Sequence, residues 1–562
     1  MVPPAYILAL AAMVFTALSY RKEQHIMDAD LILKGNKVFT GLVDHPEEAA
    51  IVIQGNQIIA VCSIEECKSY VGKETKQYDF QNQLILPGFH DAHLHVMLGS
   101  LLSSFSVDLS EAASEDETAQ IVKEFADKRP NDDWIIGNGW NSGNWERREF
   151  PTWSSIDQVV PDRPVLLFHA EGHYAWVNSH ALEIAGITSQ TENPSYGTIL
   201  KDEQGEPTGV LIESAVSLVA DIALAFSKEK QYELLNGFLQ HTKSLGVTSV
   251  NDLYAQRALE KLECFDTFRE FNETGSLTTR IHLYPALNGD LSSVKQMRDT
   301  FNSEKLRLAG LKQYVDGVVT GYTAYMLDPY VDKPETKGHV AFPPEIIKSW
   351  VVKADREGFQ IRFHAIGDGA VRLGLDAFEE AQKINGKRDS RHALEHVEII
   401  HPNDLSRFKE LGVIASTQPS HLALMPRTSH TSRVKEEKFP YLYPCKSLQD
   451  AGAVLAFGTD FPIAPLGPML QIFHAVTRVD YTGKDSWNKQ ERIGIAEALR
   501  AYTKGAAYSV HRETELGTLE PGKLADIVVL DRDLFAVPLE NIPETKVKMT
   551  IMDGEIIYTD FE

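Results

Sequence analysis

The stretch 86–96 reads LPGFHDAHLHV and places His90, Asp91, His93 and His95 within six residues, directly after an apolar run and a Pro-Gly break. Successive side chains on a strand point to opposite faces, so His93 and His95 share one face two residues apart. Two imidazoles so placed can ligate one metal ion; the competing reading is a polar sheet edge carrying satisfied histidines. Further titratable residues recur downstream where short apolar runs end: His364 in FQIRFHAIGD, His396 in HALEHVEII and Asp460 in AVLAFGTDFP. A hydrolytic metal site needs nitrogen and oxygen ligands, an open coordination position and a nearby base. On this reading His93 and His95 bind a first divalent cation. His364 and His396 bind a second, or position substrate beside a single ion. Asp460 is both a ligand and the proton shuttle, taking a proton from the attacking water and delivering it to the leaving group. Zinc is the first expectation, with one or two ions per chain; manganese, iron and cobalt accept the same ligands.

Lys312, in GLKQYVDG, is the candidate bridge between two metals. A lysine pointing into a barrel mouth is costly as a free ammonium beside cations. Carboxylation by CO2 would turn it into a bridging carbamate, and the alternative pairs it with Asp316 or another acid. Glu213, in GVLIESA, is a rival bridging carboxylate, with a buried salt bridge as its other reading. His173, in EGHYAWVNS, is a candidate for contact with substrate or transition state, and Asn178 for the cap of the following helix. Gln418 and His421 end the seventh run, where a substrate contact or a supporting role behind the ligands is expected. Trp140 and Trp145 either wall an apolar substrate pocket or belong to the core. Asp91 is expected to orient a ligand histidine through its other ring nitrogen, while His90 reads as structural.

The elements that must hold these residues alternate in type. Eight short apolar runs begin with HDAHLHV, GVTSVNDL, RIHLYPAL and LKQYVDG and end with AVLAFGTDFP. Between most of them lie amphipathic helical stretches such as PPEIIKSWVVKADREG. That is the pattern of an α/β fold, a (β/α)8 TIM-like barrel, expected over 87–509. In such barrels catalytic groups sit at the C-terminal strand ends, where the histidines and Asp460 would converge. An insertion at about 99–246 breaks the rhythm at this mouth and is expected to shape a substrate cavity. Residues 27–86 and 510–562 read as short hairpin strands, expected to form one small β-sandwich from both chain ends. Residues 1–26 are an apolar extension without a positive region ahead of it. It reads either as a membrane anchor, with Arg21 and Lys22 keeping the catalytic domain on the cytoplasmic side, or as sequence upstream of a natural start at Met27.

The 562 residues suffice for a large barrel plus a smaller domain, and 43% hydrophobic with 24% charged residues is ordinary for a globular protein. A net charge of -24 excludes a non-specific nucleic-acid binder. Four cysteines without zinc-site spacing argue for a reducing, cytoplasmic setting. The ordered motifs PGFHDAHLH, GHYAWVNSHAL, EPTGVLIESA, GLKQYVDG, HAIGDGAV, RHALEHVEIIHPNDLSRFKELGVIASTQPSH, GTDFP and GTLEPGKLADIVVLD resemble the amidohydrolase superfamily, in its YtcJ-like branch (amidohydrolase family 3). The resemblance implies a barrel with a two-part β-sandwich. It also implies a metal centre of His93, His95, His364, His396 and Asp460, with Lys312 on the bridging-lysine strand. The implied activity is metal-dependent hydrolysis of a C–N bond, amide-like but not peptide, in a small organic substrate. Ester, lactone or cyclic imide hydrolysis is the alternative on the same centre. A catalytically silent binding protein and a metal-independent isomerase are readings from other classes. The expected partner is a small molecule, with homo-oligomerisation left open.

Overall fold

The computed structural model describes residues 28–561 except 148, 171, 173, 195, 196 and 256. The apolar extension 1–26 and His173 therefore lie outside the described residues. No described helix is long and apolar enough to cross a membrane.

Five strands open the chain: β1 (Leu31–Val38), β2 (Glu47–Gln54), β3 (Gln57–Cys62), β4 (Lys76–Asp79) and β5 (Ile85–Pro87). The chain then enters β6 (Phe89–Leu94), which carries His93. Six strands of the insertion follow: β7 (Val107–Asp108), β8 (Ile135–Trp140), β9 (Val165–His169), β10 (Tyr174–Val177), β11 (Gly197–Lys201) and β12 (Pro207–Glu213). They form a sheet of their own in the order β11-β12-β10-β9-β8-β7. Trp140, Trp145, Trp176, Val165 and Leu167 fill its core, together with Val122 of the helix Glu115–Lys128.

Next come β13 (Val247–Leu253), β14 (Arg280–Tyr284), β15 (Leu306–Leu308), β16 (Gly310–Tyr314), β17 (Gln360–Ala365), β18 (Ala393–His396), β19 (Ile414–Thr417) and β20 (Val454–Phe457). With β6 they make two parallel arcs, β15-β14-β13-β6 and β16-β17-β18-β19-β20. Parallel bridges join the arcs at both seams, Ala286 to Lys312 and Leu94 to Phe461. The connecting helices bury apolar faces against the strands. Pro344–Arg356 buries Ile347, Val351 and Ala354, and Asp368–Asn385 buries Val371, Leu375 and Phe378, both at the i, i+4, i+7 spacing of one helix face. Each large apolar side chain so removed from water stabilises by roughly 1.5–3 kcal/mol before entropy is counted.

The last strands, β21 (Ile527–Leu530), β22 (Val547–Met552) and β23 (Glu555–Thr559), return to the start of the chain. Val528 of β21 lies opposite Leu86 of β5, which makes one eight-stranded sheet from both chain ends. Leu33, Ile51 and Ile85 share an apolar cluster there with Val529 and Ile551. That sheet leads directly into β6, so it anchors the strand that presents the first histidines.

Candidate metal centre

His93 near the end of β6 and His95 just beyond it point the same way, as strand alternation requires. The Nε2 atoms of both rings lie 3.2 Å from Asp460 Oδ1. Their other nitrogens are fixed from behind. His93 Nδ1 is 2.8 Å from Glu395 Oε2, and His95 Nδ1 is 2.7 Å from the carbonyl of Leu253. Each ring is thus held at Nδ1 with its Nε2 turned toward the shared space, the orientation that lets an imidazole bind a metal. Asp460 is held in place by its own backbone, whose N–H donates to the His93 carbonyl at 2.7 Å.

His93, His95 and Asp460 offer donor atoms within 4.8 Å of one another, and so do His396, His421 and Asp460. The two groups share Asp460: Oδ1 faces His93 and His95, and Oδ2 lies 3.8 Å from His421 Nε2. His421 Nε2 and His396 Nδ1 are buried without a hydrogen-bond partner among the described residues. Imidazole nitrogens and a carboxylate oxygen, two of the nitrogens unsatisfied, are a donor set that fits a divalent cation.

Local backbone geometry brings these groups together. Neighbours on a strand face opposite ways, yet Glu395 bonds His93 and the His396 ring lies 4.9 Å from the His93 ring. The strand ends there, with φ of 72° at His396 and 48° at Val397. That left-handed turn swings His396 back over the mouth. Asp460 likewise sits at φ 58°. Such conformations cost of order 1–3 kcal/mol each in residues with a β-carbon, and they persist where surrounding structure enforces them.

Electrostatics follow from burial and pairing. Burial disfavours the charged form of Asp460, but His93, His95 and His396 outweigh it and hold the carboxyl well below its usual range. His93 shows the converse: burial works against protonation, yet Asp460 and Glu395 raise its pKa. His396 is pushed well below the usual histidine value by burial and by neighbouring His364. Glu395 is held low against burial by Arg362 and His93.

The remaining sequence candidates divide. Lys312, on β16, is buried with Nζ lacking a hydrogen-bond partner among the described residues, 4.6 Å from the centre of the Tyr314 ring. Burial lowers its pKa to about 8, against the opposing pull of Glu395 and Asp460. The alternative pairing with Asp316 does not form. Asp316 accepts the N–H groups of Tyr325, Ile366 and Gly367 instead and lies 3.3 Å from His364 Nδ1. His364 packs 4.4 Å from the His396 ring, and Asp316 lies behind its Nδ1 as Glu395 lies behind that of His93, although His364 stands outside the two tightest donor groups. His421, expected to touch substrate or support the ligands, stands in the second group. Gln418 begins the turn that carries His421, and its buried carboxamide has no partner on oxygen or nitrogen among the described residues.

Trp140 is a core residue rather than a pocket wall: it is fully buried in the insertion, with Nε1 donating to the Leu167 carbonyl. Trp145 lies in the same core. Glu213 ends β12 at φ 52°, in the sheet of the insertion and in neither ligand group. Asn178 caps the helix Ser179–Ile184 by accepting the Ala181 N–H. His90 is structural, bonded to Asn251 and stacked 5.1 Å from His282. Asp91 does not reach a ligand ring nitrogen. Its oxygens accept the His93 and Thr459 N–H groups and the Thr459 and Tyr502 hydroxyls, which locks the two ligand-bearing loops to each other. Glu395 supplies the ring contact expected of Asp91. Its sequence signal was an acidic residue inside the apolar run of β18, directly before His396.

A small cleft opens beside His95, walled by Met97, Leu98, Leu253, Tyr254, Leu262 and Phe265. Asp252 and Glu263 also line it, and burial pushes their carboxyls up to about 7 and about 8.

A family model described as the amidohydrolase family matches residues 76–558. The Arabidopsis thaliana protein LONG AFTER FAR-RED 3 is 32% identical over 542 residues, 94% of this chain and 92% of that protein. The N-substituted formamide deformylase of Arthrobacter pascens is 26% identical over 524 residues, 91% of this chain and 94% of the enzyme. Among solved structures, an uncharacterized metal-dependent hydrolase from Pyrococcus horikoshii has a TM-score of 0.76 at 27% identity, covering 91% of this chain and 99% of that one.

Proposed function

The chain belongs to the amidohydrolase family of metal-dependent hydrolases, and on that footing we propose that it cleaves a carbon–nitrogen bond, amide-like but not peptide, in a small organic substrate. The observation that carries this reading is the pair of histidine groups meeting at one aspartate, Asp460. His93, His95, His364, His396 and Asp460 would hold one or two cations, with Lys312 and His421 beside them and zinc the first expectation for this donor set. A divalent cation held there supplies Lewis acidity toward a carbonyl oxygen and draws the pKa of bound water toward about 7.

The chain's own residues account for the rest. Asp460 accepts the proton of the attacking water as the new C–O bond forms, and gives it to the nitrogen as the C–N bond breaks. Three neighbouring histidines hold its carboxyl below the usual range, so it stands ionised beside them. Glu395 and the Leu253 carbonyl keep His93 and His95 aimed while this happens. Gln418 supports a substrate carrying both a carbonyl and an N–H, because its free carboxamide offers one acceptor and one donor edge. Ser416 pairs in register with Glu395, so Gln418, two residues on, follows the same inward face toward the mouth. The 26% identical relative that is an N-substituted formamide deformylase supports the same bond type.

The test is hydrolysis of a panel of N-substituted formamides, N-acyl amines and matched esters by zinc-replete protein, beside Asp460→Asn. Amide turnover in the wild type is expected, with kcat reduced about 10²–10⁴-fold in the variant. Turnover of esters alone would refute the C–N reading, and wild-type kcat in the variant would refute the shuttle.

A further inference from the structure

The cleft beside His95 carries charge that the proposed reaction does not use. Asp252, near the end of β13, lines it together with Glu260 and Glu263 from the segment that follows, and no lysine or arginine does. Asp252 Oδ1 accepts the N–H of Val96, the residue after His95, at 2.8 Å, which fixes this carboxylate against the wall. Glu263 Oε1 is closed off from solvent and has no hydrogen-bond partner among the described residues. No cation offsets either acid. Asp252 is under burial eased by one N–H, and Glu263 is under burial plus the like charges of Asp252 and Glu260. Three aromatic side chains, Tyr254, Phe265 and Tyr284, complete the walls. The cleft is small, with room for one group about the size of a water molecule.

We propose that this cleft receives a protonated amino group of the substrate, so that the amides cleaved here carry a second, cationic nitrogen a few carbons from the scissile bond. The inference rests on the carbon–nitrogen reading above and names the substrate class within it. Size is the first argument: an ammonium is about as large as a water molecule and fits, whereas a guanidinium does not. Charge is the second. Carboxyls shut away from water without a cation are costly, and an ammonium brings the missing opposite charge and three N–H donors. A carboxylate or phosphate would be repelled by three acids, and an alkyl end would leave them unpaired. Aromatic faces add attraction for a cation. Burial has raised the carboxyls of Asp252 and Glu263 to about 7 and about 8, and an ammonium between them favours their ionised forms. Position is the third argument. The His95 ring lines the cleft while its Nε2 faces Asp460 at 3.2 Å, so one imidazole separates a bound amine from the bond under attack. A short carbon chain spans that width.

The test pairs N-formyl diamines of increasing chain length with neutral partners in which a methyl group replaces the ammonium. Full-length, zinc-replete wild type, Glu263→Gln and Asp252→Asn are compared at about pH 9, where the acids ionise and the amine stays protonated. The best cationic member should exceed its neutral partner about 10–100-fold in kcat/KM, and Glu263→Gln should remove most of that ratio while leaving hydrolysis of the neutral partner unchanged. Equal turnover of both members by wild type overturns the proposal, and so does a preference that survives in both variants. Butylammonium chloride, titrated calorimetrically into the same proteins with butanol as control, gives a readout apart from turnover. Binding by wild type that weakens about 10–100-fold in Glu263→Gln supports the cleft as an ammonium site. No binding, or equal affinity in all three proteins, overturns it. If no formamide is hydrolysed, the carbon–nitrogen reading fails by itself, and calorimetry still decides the cleft. Displacement of butylammonium by equimolar potassium would assign the cleft to a free cation and overturn the substrate class. Should Glu263→Gln fail to fold, Asp252→Asn, whose amide oxygen still accepts from Val96, carries both readouts.

Discussion

Glu395→Gln is the sharpest probe of how the barrel interior prepares its ligands. Glu395 is fully buried on β18, with one oxygen 2.8 Å from His93 Nδ1 and the other accepting from Arg362 Nη1 at 3.2 Å. Arg362 is fully buried as well; its other bonds go to the Ala92 carbonyl and the Ser509 hydroxyl. Glutamine keeps the shape but has one acceptor edge for two donors. Its NH2 must face either the His93 N–H or the Arg362 guanidinium, and either contact sets donor against donor. Breaking one side of a buried charge pair costs about 3–5 kcal/mol. Losing the carboxylate behind a ligand histidine lowers metal affinity about 10–100-fold.

Both effects can be read on one set of samples. Urea unfolding of zinc-free protein gives the stability change, and chelator competition gives the affinity. The double variant Glu395→Leu/Arg362→Leu separates charge pairing from packing, because it leaves no unpaired charge. It should be more stable than Glu395→Leu alone, while its zinc affinity stays low because nothing restores the support of His93. A Glu395→Gln protein within about 1 kcal/mol of wild type, with unaltered zinc affinity, would refute both the pairing argument and the assigned tautomer of His93.

Two further outcomes follow from the same geometry. Gly458→Ala places a methyl carbon 2.4 Å from the His93 backbone nitrogen and 2.7 Å from its Cβ, so β6 must shift. Chelator competition should show weakened zinc binding although no ligand is altered, and wild-type affinity would show that the strands yield without moving His93. Far from the mouth, the Asp355 carboxyl is buried, which alone would raise its pKa, yet His392, Asn385 and Arg388 bring it down from 3.8 to about 2. A depressed carboxyl contributes stability that is present above the unfolded value and lost as pH falls toward the folded one. Asp355 should therefore supply about 2 kcal/mol that fades between roughly pH 4 and pH 2. Asp355→Asn should flatten the acid limb of an unfolding-midpoint profile over that window, and an unchanged limb would contradict the assignment.

The barrel strands were legible because each is a short apolar run ending in a polar residue, and all eight runs became parallel strands. His93, His95, His396 and Asp460 were legible for the same reason, since each stands at or just past a strand end where a side chain must face the mouth. The misread residues share a different property: their partners are distant in sequence. Asp91 lies beside His93, which suggested a local ring contact, but its oxygens serve Thr459 and Tyr502 across the barrel seam. Lys312 and Asp316 are four apart and suggested a pair, yet the loops after β16 and β17 claim Asp316 with three backbone N–H groups. Glu395 was passed over because strand alternation would send Glu395 and His396 to opposite faces. Alternation fails there through φ values of 72° and 48° that no periodicity announces.

Charge balance explains why such strained and costly features gather at one end of the barrel. Around the first ligand group, Glu395 and Asp460 carry negative charge and Arg362 and Lys312 positive, all four at most 6% exposed. The set is neutral as it stands. A divalent cation would leave it at +2 in a medium where uncompensated charge is expensive. Arg362 cannot give up its proton, and Glu395 and Asp460 are already held ionised by their neighbours. Lys312 is a group able to respond. Burial has already brought its pKa to about 8, and its Nζ is tied to no hydrogen-bond partner among the described residues. Loss of its proton relieves one unit of charge, and carboxylation of the resulting neutral amine would relieve a second. A buried lysine without a partner among the described residues would then be a group that lets this interior accept a cation rather than a packing fault.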